Sequence, residues 1–292
     1  ILSRYPIQES GYVRFRLNGQ PGDLIRSDYY AGKGLAWVRV GTPLGEVDFY
    51  NTHLIAAYLE IGEDRYFHHR VAQAYEIAKF LNEHSNERPV ILSGDLNSTP
   101  EGLAYRTLMD YARLRDSYPE ANPGDAGITV SSEIPYIAFH APERIDYLLY
   151  RSSQERALSL NGAQLAFHEV DAAYADEILA YSDHYGVQAT FELSDTAGEN
   201  PAEAGRLVSE SEILTALERG SERSLQAEKS SQLQAGLSIL IALVLLLLLI
   251  DKQMDRRQFL KIMLAGLTCL IGLYGGVQIF SATQVSRQIK TL

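Results

Sequence analysis

The stretch VILSGDLNSTP (Val90–Pro100) joins a strand-like run to a cluster of small polar residues. Its first three residues are apolar and largely β-branched, which is typical of a strand in the middle of a sheet. Asp95 and Asn97 follow two residues apart, so in an extended chain both side chains lie on the same side. Many α/β enzymes build a site in this way, at the edge of a rigid sheet. The stretch therefore predicts an α/β enzyme with a polar site at this strand end.

Strand and helix patterns alternate on both sides of this stretch. We predict strands at residues 35–40, 47–54, 144–151 and 185–193, and apolar residues at helical spacing predict an amphipathic helix at residues 66–81. Because short strands outnumber helices, the pattern favours a layered α/β sandwich over a simple parallel array of strand–helix–strand units.

The acidic excess lies entirely in the first two thirds of the chain. Residues 1–194 carry 16 Lys and Arg against 27 Asp and Glu, whereas residues 195–292 carry 10 of each. A domain that follows a nucleic acid backbone is expected to carry a basic patch, so we expect no nucleic acid partner. The single cysteine, Cys269, excludes an internal disulfide framework.

The composition changes after residue 194 and predicts four pieces. They are an α/β domain at 1–194, a polar juxtamembrane linker and helix at 195–232, a transmembrane hairpin at 233–282, and a short tail at 283–292. The hairpin consists of two uncharged apolar runs, 233–250 and 262–282. A helix that is apolar all round needs either a large core or lipid. We favour lipid, and the alternative is a pair of buried helices in a globular core.

Three features bear on the compartment and on the start of the chain. The basic residues that flank the two apolar runs are close to even in number, so they do not orient the hairpin. Asn97-Ser98-Thr99 is a glycosylation sequon inside the expected site, which favours the cytosolic face for the domain. The sequence begins without a signal peptide or Met, in what reads as a strand. We expect a fragment that lacks the N-terminal part of its domain.

Four short motifs follow or precede predicted strands, and each contains residues that can do chemistry. They are THL with His53, GDLN with Asp95 and Asn97, RIDY with Arg144 and Asp146, and SDH with Asp183 and His184. Each motif alone has a structural explanation: a surface or core histidine, an Asx-turn, an ion pair, or a turn cap. Their joint occurrence, in this order, favours a phosphoester hydrolase.

The chemistry of phosphodiester hydrolysis assigns a role to each of these groups. The attacking water needs a base within hydrogen-bond reach, and His184 is the candidate, with Asp146 holding its second nitrogen and raising its basicity. Asp95 would orient the water or help to deprotonate it, Asn97 would donate to a phosphoryl oxygen, and His53 would stabilise the developing charge. Carboxylate oxygen ligands favour Mg²⁺ over Zn²⁺ as the cation that polarises the ester.

The ordered set THL…GDLN…RIDY…SDH resembles the endonuclease/exonuclease/phosphatase superfamily. This resemblance implies a four-layered α/β sandwich like deoxyribonuclease I, incomplete here at its N terminus. Within the superfamily, LSRYPI, HHRVAQAYEIAKFL, GDLNSTPE, RIDYLLYR and SDHYGV are similar to the neutral sphingomyelinases, whose membrane-bound form has a C-terminal pair of transmembrane helices. The resemblance implies Mg²⁺-dependent, phospholipase C-type hydrolysis of sphingomyelin or a related phospho-sphingolipid to ceramide and phosphocholine.

The resemblance supports the same site and adds three residues to it. His184 corresponds to the catalytic base, and Asp183 lies beside the metal region. The segment RSDYYAGKG corresponds to a segment with a spaced Asp and Lys, here Asp28 and Lys33. Lys33 would contact phosphate and Asp28 would hold Lys33 in place or in check; the alternative is an exposed loop ion pair.

One departure concerns the metal. The principal Mg²⁺ ligand of the family is a Glu on an early strand, and Glu9 does not occupy the matching context. We expect that ligand upstream of Ile1, and we therefore expect the chain as given to be inactive.

Three alternatives remain. A nuclease of the same superfamily is disfavoured by the acidic domain and the apolar runs. An inositol-polyphosphate phosphatase shares GD-N and SDH but usually has W-x-D-R where this chain has ERIDY. An inactive scaffold or lipid-binding membrane protein is disfavoured because all the chemical groups are retained.

Overall fold

The computed structural model describes residues 1–22, 28–60, 63–85, 87–134, 141–167, 180–197, 208–250 and 258–289. The strands are β1 (Ile7–Arg14), β2 (Gly34–Thr42), β3 (Gly45–His53), β4 (Leu59–Glu60), β5 (Glu63–Asp64), β6 (Val90–Asp95), β7 (Arg115–Asp116), β8 (Asp146–Arg151), β9 (Ala157–Ala166) and β10 (Gly186–Ser194). The helices are α1 (Asp28–Ala31), α2 (Phe67–His84), α3 (Leu103–Tyr111), α4 (Ser117–Ala121), α5 (Glu210–Ile250) and α6 (Gln258–Ile289). The five strands and the helix predicted from the N-terminal two thirds of the sequence are thus confirmed.

A six-stranded sheet with the order β1-β2-β3-β6-β8-β7 forms the centre of the α/β domain. Strand β6 pairs in parallel with β3 and antiparallel with β8, while the remaining pairs of this sheet are antiparallel. Strands β9 and β10 form a separate antiparallel pair, as do β4 and β5. The mixture of parallel and antiparallel pairs agrees with the expected layered architecture.

Both faces of the central sheet are covered, which explains the continuous apolar run of β6. Val90 and Leu92 face helices α2 and α3 and belong to one buried cluster, together with Ile77 and Leu108. Ile91 faces the opposite way and belongs to a second cluster, formed with Val47, Tyr150 and Leu158 against the β9–β10 pair. Alternate side chains of a strand point to opposite faces, so a strand buried on both faces must be apolar at successive positions.

The C-terminal region forms a second compact unit with residues 16–31, beginning at Leu217. The predicted polar helix and the first apolar run belong to one helix, α5, of 41 residues. In this unit the Tyr274 hydroxyl of α6 donates to the Gln234 side-chain oxygen of α5 at 2.9 Å. Gly275 lies against Ser238, since a β-carbon there would be 3.1 Å from the Ser238 side chain. The two helices therefore contact each other through small and polar residues.

Within the part of the chain that the structure describes, one helical stretch, Met263–Val285, is long and apolar enough to span a membrane, and 11% of its most apolar part is buried. That low burial counts against the alternative of a core helix. The side chains of residues 246–250, at the end of the first predicted span, lie outside the described ones, as do residues 198–207 of the predicted linker. The hairpin of two spans stays a prediction. Helix α6 continues past the predicted end of the second span, to Ile289.

Candidate active site

Three predicted site residues form one row across neighbouring strands. His53 at the end of β3 pairs with Asp95 at the end of β6, and Asp95 pairs with Asp146 at the start of β8. Residues paired in this way present their side chains on the same face of a sheet. The row continues the face on which Ile91 packs against the β9–β10 pair. The site therefore lies at the edge of the core between the central sheet and the β9–β10 pair. This is the strand end at which the stretch VILSGDLNSTP predicts a polar site.

Gly94 allows the strands to stay close at this edge. Its φ is +146°, and a β-carbon there would overlap the carbonyl oxygen of Thr52 on β3, so only glycine fits. Just beyond the strand, the Leu54 N–H donates to the Asp95 carbonyl at 2.9 Å and the Leu96 N–H donates to the Ile145 carbonyl at 2.8 Å. These bonds hold the three strand ends together where the site residues emerge.

Asp95 and Asn97 form an Asx-turn as well as part of the site. The Asn97 backbone N–H donates to Asp95 Oδ1 at 2.7 Å, and the Asn97 side-chain nitrogen donates to Asp95 Oδ2 and to the Leu54 carbonyl, each at 3.1 Å. Asn97 has a φ of +46°, a left-handed conformation that Asn tolerates better than most residues. The structural and chemical interpretations of GDLN are therefore compatible. The predicted role of Asn97 toward a phosphoryl oxygen stays a prediction.

His184 and Asp146 form the predicted pair. His184 Nδ1 lies 2.8 Å from Asp146 Oδ2. This hydrogen bond is the main cause that raises the pKa of His184 to about 8, and the charges of Asp95 and Asp183 act in the same direction. The bond to Nδ1 leaves Nε2 as the nitrogen available to accept a proton from a substrate water.

Asp95 is unusually easy to protonate for a carboxyl group. Burial raises its pKa to about 6, and the neighbouring charge of Asp146 adds to this increase, whereas Lys33 opposes it. Lys33 is buried and directly precedes β2. His53 Nε2 lies 3.2 Å from Asp95 Oδ2. A carboxyl group with a raised pKa beside a second carboxylate is typical of a functional site.

The donor set of this cluster fits a divalent cation. Ligand atoms of Asp95, Asp146 and His184 all lie within 4.8 Å of one another. Burial is the main cause that raises the pKa of Asp95, and the charge of Asp146 adds to it; a bound cation relieves this repulsion between two carboxylates. Asp183 is exposed, accepts a hydrogen bond from the Ser182 hydroxyl at 3.1 Å, and is not part of this three-residue group. The role of Asp183 toward the metal stays a prediction.

Glu9, which does not match the position of the family's metal ligand, forms an ion pair with Arg39 at 2.8 Å.

The RIDY motif separates into a structural and a chemical residue. Arg144 is buried and donates to Asp116 at 2.6 Å, and the Tyr105 hydroxyl donates to the same carboxylate oxygen at 2.8 Å. The ion-pair interpretation therefore applies to Arg144 with Asp116, not to Arg144 with Asp146. Asp146 is left to hold His184.

Asp28 is the first residue of α1 and is buried. Both Asp28 and Lys33 are buried, so the exposed position that the loop ion-pair alternative assumes does not hold. Their proposed joint role toward phosphate stays a prediction.

Two polar residues of α2 support the site and were not recognised from the sequence. The Arg70 guanidinium donates to the Ile55 carbonyl at 3.3 Å and to Asp64, and the Gln73 side-chain oxygen accepts the Ile55 N–H at 3.0 Å. Burial lowers the pKa of Arg70 to about 10, although the charge of Asp95 opposes this. These contacts fix the segment that follows His53. The available signal was a pair of polar residues, three apart, on the buried face of an amphipathic helix.

A third polar residue that supports the site, Thr129, lies in a segment without helix or strand periodicity. It is fully buried, and its hydroxyl and carbonyl oxygens accept backbone N–H groups from the two segments that carry Asp146 and His184. Nothing in its sequence surroundings points to this position.

Comparisons with known proteins agree with this geometry. Residues 1–184 match the Endonuclease/Exonuclease/phosphatase family. The chain is 34% identical over 162 residues to sphingomyelin phosphodiesterase 2 of Rattus norvegicus, covering 52% of this chain and 38% of that protein. It is 33% identical over 162 residues to the Homo sapiens protein of the same name, again covering 52% and 38%.

A third relative is the inositol phosphosphingolipids phospholipase C of Saccharomyces cerevisiae, 34% identical over 121 residues, or 41% of this chain and 25% of that protein. The chain thus spans well under half the length of these relatives. The family match confirms the DNase I-like α/β fold expected from the four motifs. On the match of residues 1–184, which covers the whole row of site residues, the chain belongs to the endonuclease/exonuclease/phosphatase family.

Proposed function

We propose that this chain carries the reaction centre of a phospholipase C-type phosphodiesterase that hydrolyses sphingomyelin, or a related phospho-sphingolipid, to a ceramide and a phosphorylated head group. The single observation that carries this proposal is the row His53–Asp95–Asp146 with His184 held by Asp146 at 2.8 Å. The likeness to relatives named sphingomyelin phosphodiesterase 2 supports the lipid substrate.

His184 acts as the general base. Its Nδ1–H donates to the Asp146 carboxylate, which fixes the tautomer and leaves Nε2 to take the proton from the attacking water. The imidazolium that forms is stabilised by Asp146 directly and by Asp95 and Asp183 through charge, as the direction of the His184 pKa indicates.

The other residues of the row act on the phosphate and the water. Asp95 orients the water, and His53 and buried Lys33 stabilise the negative charge that develops on the phosphoryl oxygens. Asn97 keeps the Asp95 carboxylate in place through two hydrogen bonds, and its side-chain amide would donate to a phosphoryl oxygen of the substrate. Lys33 would contact the phosphate, and Asp28 would hold Lys33 in place or in check.

Mg²⁺ is the cation that this set of oxygen donors would take. Asp95 and Asp146 would hold it, with Asp183 beside it. When bound, it supplies Lewis-acid polarisation of the phosphoryl oxygen and neutralises charge.

The membrane is the proposed location of both the protein and its substrate. We place two transmembrane helices at 233–250 and 262–282 and the catalytic domain on the cytosolic face. The apolar stretch Met263–Val285 supports one of these spans, and the sequon at Asn97 favours the cytosolic side.

The proposal is tested with the protein that carries this chain, in mixed micelles with Mg²⁺. The substrates are sphingomyelin, inositol phosphoceramide, an inositol polyphosphate and duplex DNA, and the product is measured directly. We expect release of a phosphorylated head group from at least one sphingolipid, abolished by a chelator and by His184→Ala. Cleavage of DNA or of the inositol polyphosphate without lipid turnover would overturn the lipid substrate and favour a nuclease or a phosphatase of the same family.

A further inference from the structure

Two chain segments must meet to form the His184–Asp146 pair. Asp146 starts β8, and His184 lies two residues before β10. The two residues are 38 positions apart in sequence, and their side chains meet at 2.8 Å. A short hydrogen bond between distant segments requires that both backbones are held at the correct separation.

The segment at Thr129 lies between these two backbones and is bonded to both. On one side, the Thr129 hydroxyl oxygen accepts the Ile145 N–H at 3.1 Å and the Asp146 N–H at 3.3 Å. On the other side, the Thr129 carbonyl accepts the Tyr185 N–H at 2.8 Å. One residue thus binds the amide of Asp146 itself and the amide next to His184.

The Thr129 position is itself fixed. The Thr129 N–H and the Val130 N–H both donate to the Glu143 carbonyl, at 2.9 and 3.1 Å, and the Glu143 N–H donates back to the Val130 carbonyl at 2.9 Å. Thr129 is 0% exposed, so water does not replace its hydroxyl as the acceptor for the two amides without a rearrangement.

We propose that Thr129 is the positioning residue of the base: its hydroxyl and carbonyl set the separation of Asp146 and His184, and without the hydroxyl the pair loses its alignment. Thr129 touches no reacting atom in this assignment. The proposal rests on the proposed function only in so far as the pair acts as a general base.

The matched variants are Thr129→Val, Thr129→Ser and Thr107→Val. The valine has nearly the shape of threonine but removes the acceptor, whereas the serine keeps it. Thr107 is equally buried, and its hydroxyl donates to the Leu103 carbonyl inside α3 at 2.7 Å. Thr107→Val therefore controls for the general loss of a buried threonine hydroxyl.

The first measurement does not need turnover. The proton on His184 Nδ1 is expected as a downfield proton NMR signal, because its hydrogen bond to Asp146 deshields it and slows its exchange with water. We expect this signal in the unchanged protein, in Thr129→Ser and in Thr107→Val, and its loss in Thr129→Val. An unchanged signal in Thr129→Val overturns the proposal even if no phosphodiesterase activity is ever found.

The second measurement separates positioning from simple loss of stability. With sphingomyelin, we expect Thr129→Val to lower kcat by about 10- to 100-fold with little change in KM, as is typical when a supporting residue of a site is removed. Thr129→Ser should restore kcat, and Thr107→Val should leave it unchanged. Equal kcat values for Thr129→Val and Thr107→Val would overturn the proposal, whereas failure of the unchanged protein to cleave lipid would overturn only the proposed function.

If Thr129→Val does not fold, hydrogen exchange of the unchanged protein decides. The Ile145 and Asp146 amides should exchange as slowly as the amides within β8, because Thr129 is their acceptor. Rapid exchange of both amides would show that the hydroxyl does not hold them, and the proposal would be wrong.

Discussion

Asp146 sets the proton affinity of His184, so its replacement has an effect that a pH profile can resolve. In Asp146→Asn a neutral amide replaces the carboxylate whose hydrogen bond chiefly raises the pKa of His184 to about 8. The pKa of His184 then falls toward the ordinary value of 6.5. Since a base must be neutral, kcat/KM rises with pH through this pKa, and the rising limb of the profile should move to lower pH.

The same variant should be slower on its plateau, by about 100-fold, because the imidazolium loses its stabilising carboxylate and its fixed tautomer. The control is Asp125→Asn, which alters an exposed carboxylate that bonds to Tyr118 and Gly127. A rising limb at the same pH in the unchanged protein and in Asp146→Asn would contradict the assignment of His184 as the base.

His69 predicts an acid sensitivity of the fold that is separate from the active site. It is 2% exposed, and among the described residues neither of its ring nitrogens has a hydrogen-bond partner. Burial lowers its pKa well below 6.5. The unfolded chain therefore binds a proton that the folded chain does not, and stability that is complete above pH 6.5 is lost as the pH falls.

The test compares urea unfolding of the unchanged protein and of His69→Leu at pH 7.5 and 5.5. The unchanged protein should lose about 1.4 kcal/mol more than the variant over this interval, the linkage value for one group titrating only in the unfolded state. Because His69→Leu alters packing, only the pH-dependent difference is compared. Equal losses would show that His69 takes up its proton in the folded state.

The residues proposed to act on the substrate were predictable because each lies in a short motif at a strand end. His53, Asp95, Asp146 and His184 are brought together as expected. The residues that hold them were not predictable, since Thr129 and Arg70 act through backbone carbonyls and amides that only the folded chain brings near. A bond to a distant backbone group leaves no spacing rule in the sequence.

The residue that follows helix α3 is not the one that its backbone conformation favours. Arg113 follows the helix with a φ of +52°, and the Leu114 N–H donates to the Met109 carbonyl at 3.2 Å. This is the Schellman arrangement, in which glycine is the favoured residue. Arg113→Gly should stabilise the fold by about 1 kcal/mol in thermal or urea unfolding, whereas Arg113→Ala, which keeps a β-carbon, should not. A gain for alanine equal to that for glycine would point to charge, not conformation.

The junction of β3 and β6 is the opposite case, because it accepts only glycine. Gly94→Ala combines a φ of +146° with overlap of the Thr52 carbonyl, and we expect a loss of about 3 kcal/mol or more. Gly162→Ala in β9 is the control, since nothing lies within 4 Å of a β-carbon there. A small effect of Gly94→Ala in urea unfolding would show that the two strand ends separate easily.

The five strands and the helix predicted in the α/β domain agree with the structure within a few residues because their apolar periodicity is strong, whereas strand β9 and helix α3 were not predicted. The change from charged to apolar residues near 232 marks the predicted start of the first span, and it does not end a helix: α5 continues from Glu210 to Ile250 without a break. Helix formation depends on the backbone and on local propensity, and both polar and apolar residues with good propensity continue a helix.

The exposed apolar surface of α6 predicts that the protein is firmly associated with a membrane. Leu270 and Leu273 are 66% and 69% exposed, and a charge near the middle of a span costs about 2.5 to 3.5 kcal/mol. The unchanged protein should stay with membranes after extraction at alkaline pH, whereas part of the double variant Leu270→Asp with Leu273→Asp should be released, because only the first proposed span, 233–250, would still hold it. Leu225→Asp, in the charged half of α5, should not be released. Equal retention of the double variant and the unchanged protein would show that α6 is not needed for membrane association.

The row of His53, Asp95 and Asp146 makes correct strand pairing a condition for activity, not only for stability. A slip of β8 against β6 by one residue would turn Asp146 to the helix side of the sheet. Such a molecule would keep its helices, its strand content and much of its buried surface, and circular dichroism would hardly distinguish it from the native protein. Specific activity per molecule is therefore sensitive to register: a preparation in which some chains have misaligned strands would show lower activity at an unchanged spectrum.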